Sequence, residues 1–561
     1  MTLASHPGLW LIAAAALLAV LKERPRAAVA LAAPLAALAL AWQLEEGVHL
    51  RAGFLGMDVA PFAVDALSRL FAVIFSLMAF AGALFALNQP RRLELSAAFL
   101  YAGAAIGVTL AGDLVTVFVF WEVMAIGSTL VLWSAATPAA YRASMRYLMV
   151  HLFGGMLLFA GVAAQVLETG STAFNPMALD GPAQALILAA FLVNAGAWPL
   201  SAWLPDAYPE ASWSGMVFLS AFTTKTAVYV LLRGFPGTEL LIYAGLVMVF
   251  YGIIYALLEN DMRRILAYSI VNQVGFMVTG IGIGTEMALN GAAAHAFTHI
   301  LYKALLLMSA GAVLFATGRR KCTDLGGLFR TMPLTAACGI VGALAISSFP
   351  LTSGFVSKSM IAQAAGDEHL FAVWMLLAAA SAGVFLHAGI KFPWFVFFQK
   401  DSGLRPPEPP WNMRAAMLLV AALCIGLGVF YEPLYRLLPY AVDYEPYTGL
   451  HVVAQLQLLL FSGLAFFVML GWLRRTLTIT LDVDWLYRAL FPGLIEAIGG
   501  MLVRAMTAAE ARALASCGRI GVGLRRLNGP QGPLARTWPA GAMGLGVMGM
   551  LLALLLSYYL F

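Results

Sequence analysis

Long apolar runs alternate with short polar loops from one end of this chain to the other. Each run is close to the roughly 20 residues that a helix needs to cross a bilayer. Lipid offers the backbone no hydrogen-bond partners, so the runs must be helices. Reading runs and charges together predicts about 16 of them, at 8–22, 27–44, 65–88, 95–112, 114–134, 146–167, 183–203, 214–233, 239–258, 265–284, 288–316, 334–350, 371–398, 413–431, 454–473 and 540–560. The expected fold class is an all-α polytopic membrane protein with about 14–16 transmembrane helices. The N-terminal run MTLASHPGLWLIAAAALLAVLKERPR has no basic n-region and reads as a first span rather than a cleaved signal.

The loops give an orientation. One set of alternate loops carries Lys22, Arg24, Arg26, Arg91, Arg92, Arg142, Arg263, Arg264, Arg319, Arg320, Lys321, Lys400, Arg405, Arg474 and Arg475. The other set holds little beyond Arg51, Arg233 and Arg436, and is acidic at Glu45, Glu46, Asp58, Glu168 and Asp180. The basic set is expected in the cytoplasm, with both termini outside. Residues 476–537 break the alternation. There Arg488, Arg504, Arg512, Arg519, Arg525 and Arg526 are spaced among Leu, Ile and Met. That pattern suits an amphipathic helix along the inner face, a docking arm for neighbouring subunits, or a basic juxtamembrane linker.

Composition narrows the function. The 561 residues are 62% hydrophobic and 11% charged, against roughly a quarter charged in soluble domains, which leaves little room for a soluble domain. Cys322, Cys338, Cys424 and Cys517 form no CxxC pair and have no metal-ligand spacing. Iron–sulfur chemistry is therefore not expected. Nor is a nucleotide site, because no Gly-rich loop follows a strand. The net charge of +5 does not point to nucleic acid, since the basic residues lie in short loops. No cofactor and no metal are expected.

The chemistry rests on charged residues inside apolar runs. Glu122 lies mid-span in VTVFVFWEVMAIGS and Lys225 in FLSAFTTKTAVYVLLR. Charges there are costly and usually mark ion or proton paths. Burial disfavours a charged form and a neighbouring charge can reverse that, which is what a proton relay requires. The bland alternatives are a packing salt bridge for Glu122 and a snorkelling lysine for Lys225, although Arg233 is nearer the span end. His295, His299 and Lys303 recur at i, i+4, i+8 on one helix face, as the wall of a wet channel would. A metal site would need a third ligand, and core histidines bonded to helix carbonyls are the other reading. His387 and Lys391 repeat the spacing before Pro393, which favours a kinked or broken helix. Lys391 is either a terminal relay group or an interfacial lysine. Lys358, in TSGFVSKSM, belongs to the path or to a re-entrant connection, and His151, in YLMVHLFGG, joins the path or fills a packing hole.

Five motifs occur in a fixed order: FVFWE, WLPDAYPEA, RRILAYSIVNQVGFM, HAFTHILYKALLLMSAGAV and ISSFPLTSGFVSK. Together they resemble the antiporter-like subunits shared by respiratory complex I and the multisubunit (Mrp-type) Na+/H+ antiporters, with the long C-terminal part leaning toward the Mrp branch and its D-type subunits. The resemblance covers most of residues 95–400. It implies inverted repeats, broken helices and a proton-conducting core at 95–400, preceded by helices in 1–94. Further helices at 401–475, the basic segment 476–537 and a last helix in 538–561 follow. It also implies partner membrane subunits, a bacterial cytoplasmic (inner) membrane and movement of H+, exchanged for Na+. The path would run through Glu122, Lys225, His295, His299, Lys303 and Lys391, with Asn194, His387, Lys358 and His151 as accessories. A redox-driven pump of the NADH:quinone oxidoreductase or membrane-hydrogenase type is the alternative, and its redox chemistry would sit in partners. The family's first lysine usually stands 31 residues before the second, and here that position is Asn194. The loop pattern WLPDAHxEA also has Tyr208 where His is usual. Without the lysine, either Glu122 pairs elsewhere, or this half runs by a different scheme, or the chain is a non-pumping scaffold.

Overall fold

A computed structural model describes residues 5–472 and 482–560. Arg474, Arg475 and residues 476–481 of the basic segment lie outside the described residues. The chain divides into residues 1–484 and 485–561. The first unit begins with α1 (Pro7–Val20) and α2 (Glu23–Gln43), then a hairpin of β1 (Gly47–Phe54) and β2 (Met57–Val64). It continues with α3 (Ala66–Phe85), α4 (Arg92–Thr109), α5 (Leu114–Trp133), α6 (Pro138–Thr169), α7 (Pro182–Ala195), α8 (Trp203–Ala207), α9 (Gly215–Ala221) and α10 (Thr223–Gly234). Then come α11 (Leu240–Leu258), α12 (Met262–Ile283), α13 (Glu286–Thr317), α14 (Pro333–Ile346), α15 (Ser353–Asp367), α16 (Phe371–Val384), α17 (Trp411–Val429), α18 (Glu432–Tyr435) and α19 (Gly449–Val468). The second unit holds α20 (Phe491–Asn528) and α21 (Ala540–Leu560).

Among the described residues, 13 helices are long and apolar enough to cross a membrane, or 14 if a bent pair counts as one span. α1 and α14 are shorter apolar helices. The chain is thus a helical, multi-pass membrane protein. Two elements depart from the sequence-based expectation. The hairpin has no strong apolar alternation. It turns at Leu55 and Gly56, both at positive φ, as a two-residue hairpin turn requires. It is anchored by Ala60 N donating to Asp113 Oδ2 (3.0 Å) and Ala63 N to Leu110 O (2.8 Å). The other is α15, where the sequence predicts only a connection around Lys358, because Ser, Gly and Lys dilute the apolar signal.

A repeat emerges from helix lengths and caps. α6 and α13 are each 32 residues long. Each starts behind a threonine, Thr137 or Thr285, whose side chain accepts from the backbone of Ala140 or Ala288. Each ends on a left-handed glycine, Gly170 or Gly318, at φ 68° and 67°. Each is followed by a 14-residue helix with proline in its first turn, α7 or α14. Both of those helices stop at a break.

Candidate functional site

The first break follows α7. Gly196 at φ 77° turns the chain, and the segments Pro182–Ala195 and Leu200–Glu210 meet at a 40° bend. Trp203 Nε1 donates to Val193 O at 3.0 Å and so serves a carbonyl near the end of α7. Asn194, in the last turn before the break, is buried, and its Oδ1 lies 2.9 Å from His151 Nδ1 on α6. The His151 ring packs 4.0 Å from Tyr147 and 4.7 Å from Trp203, centroid to centroid.

Glu122 reaches the same part of α6 from α5. A Cβ added at Gly155 would overlap Glu122 Oε1, while one at Gly154 would sit 3.4 Å from Asn194 Oδ1. Two adjacent glycines therefore let a carboxylate and an amide approach α6 from two neighbouring helices. Glu122 is half-buried, and its Oε1 has no hydrogen-bond partner among the described residues. Arg146 does not serve it, because Arg146 holds Asp206 of the WLPDA motif by two hydrogen bonds at 2.7 and 2.9 Å.

The second break separates α9 from α10 at Phe222 (φ −105°, ψ −68°). Lys225 lies one turn beyond it and is fully buried. Its Nζ donates to Ser220 O (2.7 Å), a carbonyl on the far side of the break, and to Thr224 Oγ1 (3.0 Å). A broken helix frees carbonyls, and a lysine is one way to satisfy them inside a membrane. The break also carries Thr223, whose hydroxyl lies 2.6 Å from Tyr101 OH and 3.5 Å from Tyr147 OH.

α13 supplies the central row. His295, His299 and Lys303 are all fully buried. His295 Nε2 lies 3.1 Å from Gln273 Oε1 and its Nδ1 3.3 Å from Ser357 Oγ. Lys303 Nζ donates to Ser269 Oγ at 2.9 Å. Neither ring nitrogen of His299 has a partner among the described residues. Lys225 is close enough to act electrostatically on all three. Among the described residues neither histidine ring is held by a helix carbonyl, whereas Lys303 also donates to Leu266 O of α12 at 3.4 Å.

The remaining candidates divide. Lys358 on α15 has no hydrogen-bond partner for Nζ among the described residues, and Nζ sits 4.1 Å over the Phe276 ring. Lys391 lies in a π-helical stretch, Phe385–Lys391, which continues α16. It donates to Ala256 O (3.1 Å), Leu257 O (2.5 Å) and Glu259 O (2.6 Å), so it caps the C-terminal end of α11. His387 Nδ1 lies 2.8 Å from Gly383 O. Sequence reasoning missed Tyr101, Tyr147, Thr223, Ser269, Gln273 and Ser357. These are uncharged, and their only sequence signal is polar spacing inside apolar runs.

A family model described as NADH:quinone oxidoreductase/Mrp antiporter, TM, matches residues 111–385. The D subunit of a Na(+)/H(+) antiporter from Alkalihalophilus pseudofirmus is 32% identical over 366 residues, 60% of this chain and 72% of that protein. The chain belongs to this antiporter-like family. Among solved structures, a chain of the Mrp complex from a Dietzia species is similar at TM-score 0.69 and 22% identity, covering 83% of this chain and 99% of that one. A chain of the membrane-bound sulfane sulfur reductase, an archaeal respiratory membrane complex, is similar at TM-score 0.72 and 23% identity, covering 98% of this chain and 99% of that one. At such identities these two speak to the fold. For this antiporter-like chain, the expected likeness to the D-type subunits is met by the Alkalihalophilus protein.

Proposed function

We propose that this chain is the ion-translocating subunit of a multisubunit monovalent cation (Na+)/H+ antiporter. It would work beside other membrane subunits in a bacterial cytoplasmic membrane. The observation that carries the reading is the buried group of Lys225, His299 and Lys303, placed where a broken helix presents free carbonyls. A fully buried lysine costs about 2.5–3.5 kcal/mol at mid-membrane on insertion scales. Here the cost is offset by Ser220 O and Thr224 for Lys225 and by Ser269 for Lys303. Neighbouring cations let a proton arriving on one group lower the hold of the next, which drives stepwise transfer. Glu122 is the carboxylate end of the path. His295 is the member bonded to Gln273 and Ser357, and Lys391 lies at the far end, beside the α11 carbonyls.

The family model's description names NADH:quinone oxidoreductase beside the Mrp antiporter. That favours, as second reading, a proton-pumping subunit of a redox complex, with the electron chemistry in partners. Everted vesicles carrying the intact complex separate the two. Na+-dependent proton flux without any electron donor supports the antiporter, and flux that requires a donor supports the redox pump. Lys225→Ala should abolish flux of either kind while the complex still assembles. Wild-type flux in Lys225→Ala would leave the chain as a scaffold.

A further inference from the structure

Asn194 stands where the family resemblance implies a lysine, and the geometry shows what lies beside it. His151 and His299 occupy the same place in the two 32-residue helices. Each lies thirteen residues after its helix's first residue (138 to 151 and 286 to 299). Both are buried, and both carry a ring nitrogen with no partner among the described residues: Nε2 of His151 and both nitrogens of His299. The second departure, Tyr208 in the WLPDA loop, falls in the same cluster. Its ring lies 6.3 Å from that of Tyr147, on which His151 is packed.

We propose that His151 is the proton-carrying group of the first half, standing in for the lysine that Asn194 replaces. This rests on the translocation reading above. As oriented, Asn194 Oδ1 accepts from His151 Nδ1–H, so the neutral ring presents the Nε2 lone pair. A proton taken at Nε2 gives an imidazolium that keeps its bond to Asn194. Loss of the same proton from Nε2 restores the starting tautomer, so the cycle balances without moving the amide. Asparagine suits both states of the ring. A lysine at 194 would place a second cation against it and oppose the proton. A histidine carrier at 151 and a lysine at 194 are therefore alternatives.

The surroundings of His151 fit a relay. On one side lies Glu122, packed on Gly155, one helical turn along the same face of α6. On the other, Tyr147 bonds Ser128 Oγ at 2.9 Å and reaches Thr223 Oγ1 at 3.5 Å, and Thr223 meets Tyr101. Thr223 precedes Thr224, which holds Lys225. The titratable groups facing the site are Glu122 from α5, Tyr147 from α6, Tyr101 from α4 and Tyr208, which follows α8. The Arg146–Asp206 pair closes the Tyr208 side and is already neutralised.

The test uses flux in everted vesicles with the intact complex, comparing His151→Gln, Asn194→Lys, the double variant and Lys225→Ala. Glutamine fills a similar space and hydrogen-bonds, but cannot carry a proton. Flux in His151→Gln should fall about tenfold or more, the scale of a lost positioned proton carrier. Asn194→Lys alone should also lose flux. The double variant should exceed both singles. Wild-type flux in His151→Gln, or a double variant no better than His151→Gln, overturns the proposal. If His151→Gln does not assemble, Asn194→Lys decides alone: unchanged flux there overturns it. Loss in Lys225→Ala with none in His151→Gln refutes only the role of His151, whereas no loss in Lys225→Ala refutes translocation itself.

Discussion

Gly252→Ala should loosen the crossing of α11 and α12. An added Cβ would come to 2.6 Å from Tyr268 O, 2.7 Å from Asn272 N and 2.8 Å from Asn272 Cβ. Two of these are backbone atoms of α12 and cannot rotate away. The same closeness recurs along the crossing: Gly245 would meet Gly275 O at 2.6 Å, and Gly282 would meet Ile242 N at 2.5 Å. Such small-residue seams are how helices pack tightly in membranes, where burial from water supplies no drive. Overpacking costs about 1–3 kcal/mol, and alanine recovers about 0.5–1 kcal/mol of helix propensity. The net loss against wild type should then be about 0–2.5 kcal/mol, and about 1–3 kcal/mol against a glycine-to-alanine change that meets nothing. Parting α11 from α12 also draws Ser269 and Gln273 away from Lys303 and His295, so flux should fall with stability. Gly426→Ala is the control, because nothing lies within 4 Å of its added Cβ. The assay is the folded fraction of purified complex after graded heating. A Gly252→Ala profile identical to that of Gly426→Ala would show that the crossing absorbs the added methyl without cost.

Two further outcomes can be read with the same assay. Lys391→Met strips the donor from three carbonyls at the end of α11 and should cost about 1–3 kcal/mol; a variant that melts like wild type would show that these carbonyls find other donors. Arg146→Gln leaves Asp206, 7% exposed at its side chain, without its bidentate partner. The full penalty for a broken buried pair is about 3–5 kcal/mol, and Arg146 is 27% exposed, so about 1–3 kcal/mol is expected. Adding Asp206→Asn should recover part of that, and no recovery would mean the loss is not electrostatic.

The spans were legible because each is a long apolar run, and Glu122, Lys225 and Lys303 were legible because charge inside such a run is conspicuous. What escaped was carried by uncharged groups and by backbone. Tyr101, Tyr147 and Thr223 blend into apolar helices in the sequence, yet they form the hydroxyl row beside the Lys225 break. The repeat escaped because α6 and α13 share a length, a threonine cap and a glycine stop rather than residues. The correspondence of His151 with His299 becomes visible only once both helix starts are fixed. The bend after α7 was hidden because Gly196 and Pro199 sit inside an apolar run that reads as one span.

The lysines of the path differ in how their donors are used, and that ranks what each can do. An ammonium has three donors. Lys391 places all three on the end of α11, so moving it leaves a helix end unsatisfied. Lys225 and Lys303 each have two hydrogen-bond partners, Ser220 O and Thr224 for one, Ser269 and Leu266 O for the other. Among the described residues Lys358 places none on an oxygen and rests on Phe276. A group that must bind and release a proton repeatedly cannot also be the sole support of a helix end. On the proposed translocation reading, the transfer role falls to Lys225 and Lys303, with His299, which has no hydrogen-bond partner among the described residues, acted on by both charges. Lys391 combines two tasks that conflict, so its loss should show first as instability and only then as lost flux.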